Sequence, residues 1–411
     1  MRRGPSARTL TSMASSSMAS ADSPVPSRTR LHLSPVRPRD PGERHRAAST
    51  LELFFDLVFV IAVSLASTNL HESLVEGHVR HGISSYLMIF FAVWWAWMNF
   101  TWFATSFDND DWLYRVMTFV QMAGVLVLAA GIPPAFSDGD FRLVVVGYVV
   151  MRLAMVSQWL RASRAGGAAG RAARVYAGGI AAVQVLWVAW LFLPGQAQAV
   201  VFLVLVAAEL TVPVVAERRG RTPWHARHIT ERYGLFTLIL MGESLLGSAN
   251  AIIEALHEGE YLGELVPLAV LAFTVTACLW WIYFWAPHHG RISDMAHSLV
   301  YGYGHYFIFA AAGALSAGIE SEISSITGHS ELGEIATSFT VTLPVAVFMA
   351  GVWLLVIRPV GSRLVNLVVP LAALLVFLDP LIPVPTAWSA VVLVLVVAVL
   401  VAGPDGADQQ E

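Results

Sequence analysis

Residues 51–70 read LELFFDLVFVIAVSLASTNL, an almost unbroken apolar run with an aspartate, Asp56, more than a helical turn inside it. A helix needs ~20 mostly apolar residues to cross a bilayer. Helical hydrogen bonding is what lets backbone sit in lipid. Comparable runs recur along nearly all of the chain after residue 50. Of the 411 residues, 56% are hydrophobic and only 13% charged, with mean hydropathy +0.63. Soluble domains carry roughly 25% charged residues, so a soluble protein is excluded. The expected fold is an all-α polytopic transmembrane bundle.

Spans are expected at about 51–70, 83–103, 113–134, 141–160, 175–193, 197–216, 233–252, 264–285, 299–319, 337–357, 362–379 and 386–402, twelve in all. The loops test that count, because cytoplasmic loops hold the Arg and Lys excess. All 25 basic residues are Arg. Arg37, Arg39, Arg44 and Arg46 precede the first span, Arg161 to Arg174 follow the fourth, Arg218 to Arg227 follow the sixth, Arg291 follows the eighth, and Arg358 and Arg363 flank the turn after the tenth. Those loops share one side, with both termini cytoplasmic in a cell membrane. The alternate loops are acidic, with Glu72 and Glu76, Asp138 and Asp140, Glu254 to Glu264, and Glu320 to Glu334; Arg80 and Arg142 are exceptions.

Residues 1–48, rich in Arg, Ser and Pro, read as a disordered cytoplasmic tail without a secretory core. Met13 and Met18 are alternative starts. A membrane domain follows over 49–402, and 403–411 form a short polar tail. Two six-span halves, 49–216 and 225–402, echo each other. Trp94-Trp95-Ala96-Trp97 answers Trp280-Trp281-Ile282-Tyr283, and Gly124 and Gly131 answer Gly313 and Gly318, at an offset near 186. Equivalent spans run the same way, giving a parallel repeat of a kind in which substrate sits between the halves.

Charge deep in a bilayer costs at least ~2.5–3.5 kcal/mol on insertion scales, so it marks sites. Glu52 and Asp56, four apart, share a face of the first span, and Ser49 or Thr50 can cap it. The seventh span opens His228-Ile229-Thr230-Glu231-Arg232, with Glu243 three turns deeper. His228 and Glu231 have the spacing of a metal ligand pair in reversed order, too little to assign a metal. His305 lies inside the ninth span, where it is a buried neutral group or a proton relay. Arg152 and Glu209 are also deep and can pair. Asp111 and Arg115 are spaced for a helix ion pair. The candidate substrate- or ion-binding residues are Glu52, Asp56, Arg115, His228, Glu231, Arg232, Glu243 and His305.

No phosphate loop of the G-x-x-x-x-G-K-[ST] type occurs, and no cofactor is called for. No aromatic-basic groove points to nucleic acid. The lone cysteine, Cys278, can make no intrachain disulfide. The expected partners are the lipid bilayer and a small ion or proton.

Several segments together resemble the bacterial low temperature requirement protein A (LtrA) family. They are Glu52-Leu53-Phe54-Phe55-Asp56-Leu57-Val58-Phe59-Val60, the region from Trp94-Trp95 to Asp111-Trp112 and on to Ile132-Pro133, His228 to Glu243-Ser244, Trp280 to Phe284, and Tyr303-Gly304-His305. The resemblance implies a multipass membrane protein associated by name with growth in the cold, and implies no chemical activity. The favoured function is a secondary transporter or ion/proton pathway using buried carboxylates. The alternatives are a membrane enzyme acting on a lipid or isoprenoid through the cytoplasmic-side cluster Asp56, Asp108, Asp110, Asp111, His228, Glu231 and Arg232, whose acids can hold Mg²⁺ against substrate phosphates, or a non-catalytic structural or sensory protein.

Overall fold

The computed structural model describes residues 33–40, 42–43, 46–259, 261–382 and 387–403. Most of both predicted tails lies outside the described residues, as do Arg44, Glu260 and the side chains of Asp108, Glu254 and Glu258. The described residues form α1 (Thr50–Val75), α2 (Val79–Ser106), α3 (Trp112–Ala130), α4 (Ile132–Ser137), α5 (Arg142–Ala162), α6 (Gly167–Trp190) and α7 (Gly195–Arg219), then α8 (Ala226–Glu258), α9 (Leu262–Phe284), α10 (Met295–Ile326), α11 (Glu334–Val352), α12 (Arg363–Leu378) and α13 (Ala387–Ala402). A two-residue ribbon joins β1 (Arg37–Pro38) to β2 (Phe107–Asp108) in antiparallel register. The end of the predicted tail is thus pinned to the turn after α2.

Among the described residues, 11 helices are long and apolar enough to cross a membrane. A helix stands at each of the twelve predicted spans. The last, α13, has 16 residues, about 24 Å at 1.5 Å per residue, short of a ~30 Å hydrocarbon core. The predicted third span ends at Ala130. Gly131 breaks it, and Pro133 and Pro134 open the short α4.

Several helices outrun the predicted spans. Helix α1 continues to Val75 and α10 to Ile326, so Glu72, Glu320 and Glu322, read as loop acids, lie on helices. Hydropathy falls where the chain leaves hydrocarbon, whereas the hydrogen-bond ladder continues into the interface.

Local chemistry places the starts. Ser49 and Glu52 form a reciprocal capping box, with Glu52 N donating to Ser49 Oγ at 3.3 Å and Ser49 N to Glu52 Oε2 at 2.7 Å. Asp111 caps α3 through Tyr114 N at 2.8 Å, and Asp294 caps α10. Helices α1, α2, α8 and α10 pack on one another at the centre. The span windows of α2 and α10 are 78% and 72% buried, against 22% for α7 at the edge.

Gly131 and Gly318 are two of several places where helices approach closely enough to require glycine. A Cβ on Gly131 would sit 2.7 Å from Leu143 Cβ on α5, and one on Gly318 would run into the Thr340 carbonyl of α11. Gly318→Ala therefore lowers stability by about 1–3 kcal/mol through overpacking. Thermal melting in detergent checks this, with Gly263→Ala, which meets open space, as the neutral control.

Candidate functional site

The end of the bundle that carries the Arg-rich loops holds a buried charge network between α1 and α8. Arg232 grips Asp56 with both arms, Nε to Oδ2 at 2.8 Å and Nη2 to Oδ1 at 2.5 Å. Trp97 of α2 donates Nε1 to the same Oδ1 at 2.7 Å. One turn earlier, Glu52 Oε1 lies 3.3 Å from Arg46 Nη2, 3.4 Å from His228 Nε2 and 3.5 Å from Arg232 Nη1. All four of Glu52, Asp56, His228 and Arg232 are at most 3% exposed. Buried charges survive when paired and hydrogen-bonded, and the fork geometry of Arg suits a carboxylate.

The network continues into the segment before α1. Arg46 donates to the carbonyls of Thr105 at 2.8 Å and Ala104 at 2.6 Å, closing the end of α2. His225 Nε2 lies 2.7 Å from the Glu43 carbonyl, so it carries the hydrogen and leaves Nδ1 to accept from His228 N at 3.2 Å. Glu231 is exposed and accepts from Ala48 N at 3.3 Å. His228 faces Glu52 instead, so the two do not converge as a ligand pair. Among the described residues, no group of three His, Cys, Asp or Glu is placed to hold a metal ion.

Three of the candidate residues lie elsewhere. Arg115 is exposed and forks onto Asp110, with Nε to Oδ1 at 2.8 Å and Nη2 to Oδ2 at 2.7 Å. The expected Asp111–Arg115 pair is replaced, because capping α3 turns Asp111 inward, where Arg161 Nη2 meets it at 2.5 Å. Both acids are therefore taken by arginines. Glu243 is eleven residues beyond Arg232 on α8, about 16 Å along the axis. It is 9% exposed and lies beside the Ser64 side chain of α1.

His305 belongs to an aromatic cluster. Its Nδ1 donates to the Tyr301 carbonyl at 2.7 Å, so Nε2 accepts from Tyr283 OH at 3.1 Å. His288, in the turn between α9 and α10, donates Nε2–H to the Tyr283 carbonyl at 2.8 Å and accepts from Tyr301 OH at 2.9 Å. Burial pushes His288 down to about 4, against ~6.5 for a free histidine. The unfolded chain takes up that proton first as pH falls. Stability from neutral His288 is intact above pH ~6.5 and is lost between ~6.5 and ~4, by roughly 3 kcal/mol in all. Melting midpoints in detergent should drop across that window. His288→Asn should start lower at neutral pH and show a flatter profile.

Arg152 and Glu209 do pair, at 2.8 Å. Glu209 also accepts from Trp95 Nε1 at 2.9 Å, Tyr148 OH at 2.8 Å, Gln184 Nε2 at 3.1 Å and Trp187 Nε1 at 3.2 Å. The Trp94–Trp97 motif thus serves two carboxylates, Trp95 to Glu209 and Trp97 to Asp56. Sequence reading found the motif and missed these partners, although a buried indole N–H must find an acceptor. Trp280 and Trp281, which echo it, are 45% and 44% exposed on the outer side of α9.

Polar groups continue toward the acidic end along the seam of α1, α8 and α10. Ser67 Oγ donates to the Gly313 carbonyl at 2.8 Å, and Asn250 Nδ2 to Glu320 Oε1 at 3.3 Å. His71 reaches Ser321 Oγ at 3.3 Å and Ser324 Oγ at 3.4 Å. Glu320 interacts electrostatically with Glu243 and Glu72. Between this half and the Asp56 network lies an aromatic plug. Trp97 stacks on Phe236 at 4.4 Å, and Phe309 closes on both at 5.7 and 5.1 Å.

Fold and site together define a polytopic helical membrane protein with an ion-paired core at the seam of α1 and α8. The family described as bacterial low temperature requirement A protein (LtrA) matches residues 47–402, and the chain belongs to it. It is also similar to the uncharacterized protein RA0937 of Rhizobium meliloti (strain 1021), at 28% identity over 293 residues, which covers 65% of this chain and 68% of that protein.

Proposed function

We propose that the chain is a secondary transporter or ion/proton pathway, moving protons or a small cation along the seam of α1, α8 and α10. The observation that carries this reading is the polar line on that seam, interrupted by one aromatic plug. At one end Asp56 and Arg232 latch α1 to α8. At the other, Glu243, Glu320 and His71 line the same helices. Ionisable groups inside a membrane bundle are costly and are retained for such pathways. Shifting the Trp97, Phe236 and Phe309 rings would join the two halves of the line.

Two six-helix halves, 49–216 and 225–402, would be the moving bodies. Within each set consecutive helices pack in sequence, and the two sets meet where α1 and α2 pack on α8 and α10. In the first set α1 packs on α2 and α3, α3 on α5, α5 on α6 and α6 on α7; in the second α8 packs on α9 and α10, α10 on α11, α11 on α12 and α12 on α13. Gly131 and Gly318 make their close approaches at matching places in the two sets. By the Arg distribution, the latch end and both termini face the cytoplasm of a cell membrane.

Purified protein in liposomes, with pH and cation gradients imposed, tests the reading. Glu243→Gln should cut flux at least tenfold while the protein still folds, and so should Asp56→Leu/Arg232→Met, which removes the buried pair as a whole. Wild-type flux no greater than that of empty liposomes, or flux indifferent to both changes, overturns it.

A further inference from the structure

On the outer side of the first set, α6 and α7 leave an open groove, separate from the Asp56 network. Its walls include Val175 and Gly179 of α6 and Val204, Ala208, Thr211 and Val215 of α7, and its volume is about 510 Å³. Gly179 lets the two helices close beneath it, since a Cβ there would sit 2.9 Å from Val212 Cγ1. Val204, Thr211 and Val215 are exposed, on the helix whose span window is the least buried of the bundle at 22%. From Val204 to Val215 the groove follows eleven residues of α7, about 16 Å at 1.5 Å per residue. One leaflet of a ~30 Å hydrocarbon core has that depth, so an acyl chain of a single leaflet fits along it.

The groove ends in arginine. On α6, Arg171 lies four residues before Val175 and eight before Gly179, on the same helical stripe. On α7, Arg219 lies four residues after Val215 and eight after Thr211, again on one stripe. Both apolar walls therefore run into a guanidinium at the latch end, one turn beyond the groove. Packing brings the two helix ends together. Arg171 Nε lies 3.5 Å from the Arg219 carbonyl, and a Cβ on Gly220 would run into the Ala168 carbonyl. Arg174 and Arg218 flank the pair, and all four side chains are exposed. Among the described residues, no carboxylate comes within ion-pair distance of these four, whereas Arg115, Arg142 and Arg161 each grip an aspartate. Like charges gathered without an acid repel one another, and an anion set between them reverses that.

We propose that this groove binds an anionic phospholipid of the phosphatidylglycerol class, one acyl chain lying along α6 and α7 and the phosphate resting between Arg171 and Arg219. Basic pockets between membrane helices hold lipid head groups in this way, and the guanidinium fork matches phosphate oxygens. A zwitterionic lipid offers the same chain but brings its own cation to the arginines, so charge selects the head group and the groove selects the chain. The site stands independently of the transport reading.

Native mass spectrometry of the delipidated full chain in detergent tests the proposal. The probes are dioleoyl phosphatidylglycerol, dioleoyl phosphatidylcholine and inorganic phosphate. Phosphatidylglycerol should bind saturably and at least tenfold more tightly than phosphatidylcholine, and excess phosphate should not displace it. Arg171→Gln/Arg219→Gln should weaken phosphatidylglycerol at least tenfold and remove the preference. Arg363→Gln, which neutralises an exposed arginine at the start of α12, should leave it unchanged. Thr211→Trp, at an exposed position inside the groove, should weaken phosphatidylglycerol at least fivefold by filling the path of the chain. If the double arginine variant does not fold, Arg171→Gln alone and Thr211→Trp decide. Equal binding of the two lipids, displacement by phosphate, equal losses in Arg363→Gln and the arginine variant, or a folded Thr211→Trp that binds like wild type overturns the proposal.

Discussion

Arg232→Met destabilises the protein by about 3–5 kcal/mol, the cost of leaving a buried charge without its partner. Asp56 then keeps Trp97 as its remaining donor among the described residues, on Oδ1, while Oδ2 loses Arg232 Nε. Glu52 keeps Arg46 and His228, so the damage centres on Asp56. The double variant Asp56→Leu/Arg232→Met should recover most of the loss, because exchanging a whole buried pair for apolar side chains is close to neutral. Melting midpoints of both variants in one detergent decide the matter. Equal losses in the single and double variants would show that the site depends on the side chains' shape and not on their charge.

Glu209→Gln is the second large effect, also roughly 3–5 kcal/mol. The substitution keeps the size of the side chain but removes the charge opposite Arg152 and turns an amide N–H₂ toward donors. Arg152 is 1% exposed, and its Nε and Nη1 already lack partners. Trp95, Tyr148, Gln184 and Trp187 each compete for the one oxygen left. The indoles report locally, so tryptophan emission should shift along with the lowered melting midpoint. Arg152→Met added to Glu209→Gln should restore part of the stability by removing the orphaned charge. An unchanged midpoint in Glu209→Gln would mean that the carboxylate is not the hub the geometry describes.

Much of the site was legible because lipid makes charge conspicuous. Asp56, Arg232, Arg152 and Glu209 stand out within apolar runs, and the structure pairs them. The pairing of Asp56 with Arg232 spans 176 positions, and nothing in linear spacing ranks it above a contact between Asp56 and Glu243. Arg115 illustrates the reverse error. Its i, i+4 spacing from Asp111 favours a helix pair, but Asp111 is drawn into capping α3 and bonding Arg161. The repeated tryptophans divide in the same way: equal in sequence, inward on α2 and outward on α9.

Composition and the period of apolar runs determined by themselves that this chain is a helical membrane bundle, because hydrocarbon admits few other backbones and few charges. They also marked which acids and arginines must be sheltered. Only the tertiary structure decided which of them meet, since a helix fixes which side chains share its face and says nothing about the helix opposite. The Asp56–Arg232 latch and the five-donor hub at Glu209 both arise from packing between distant spans.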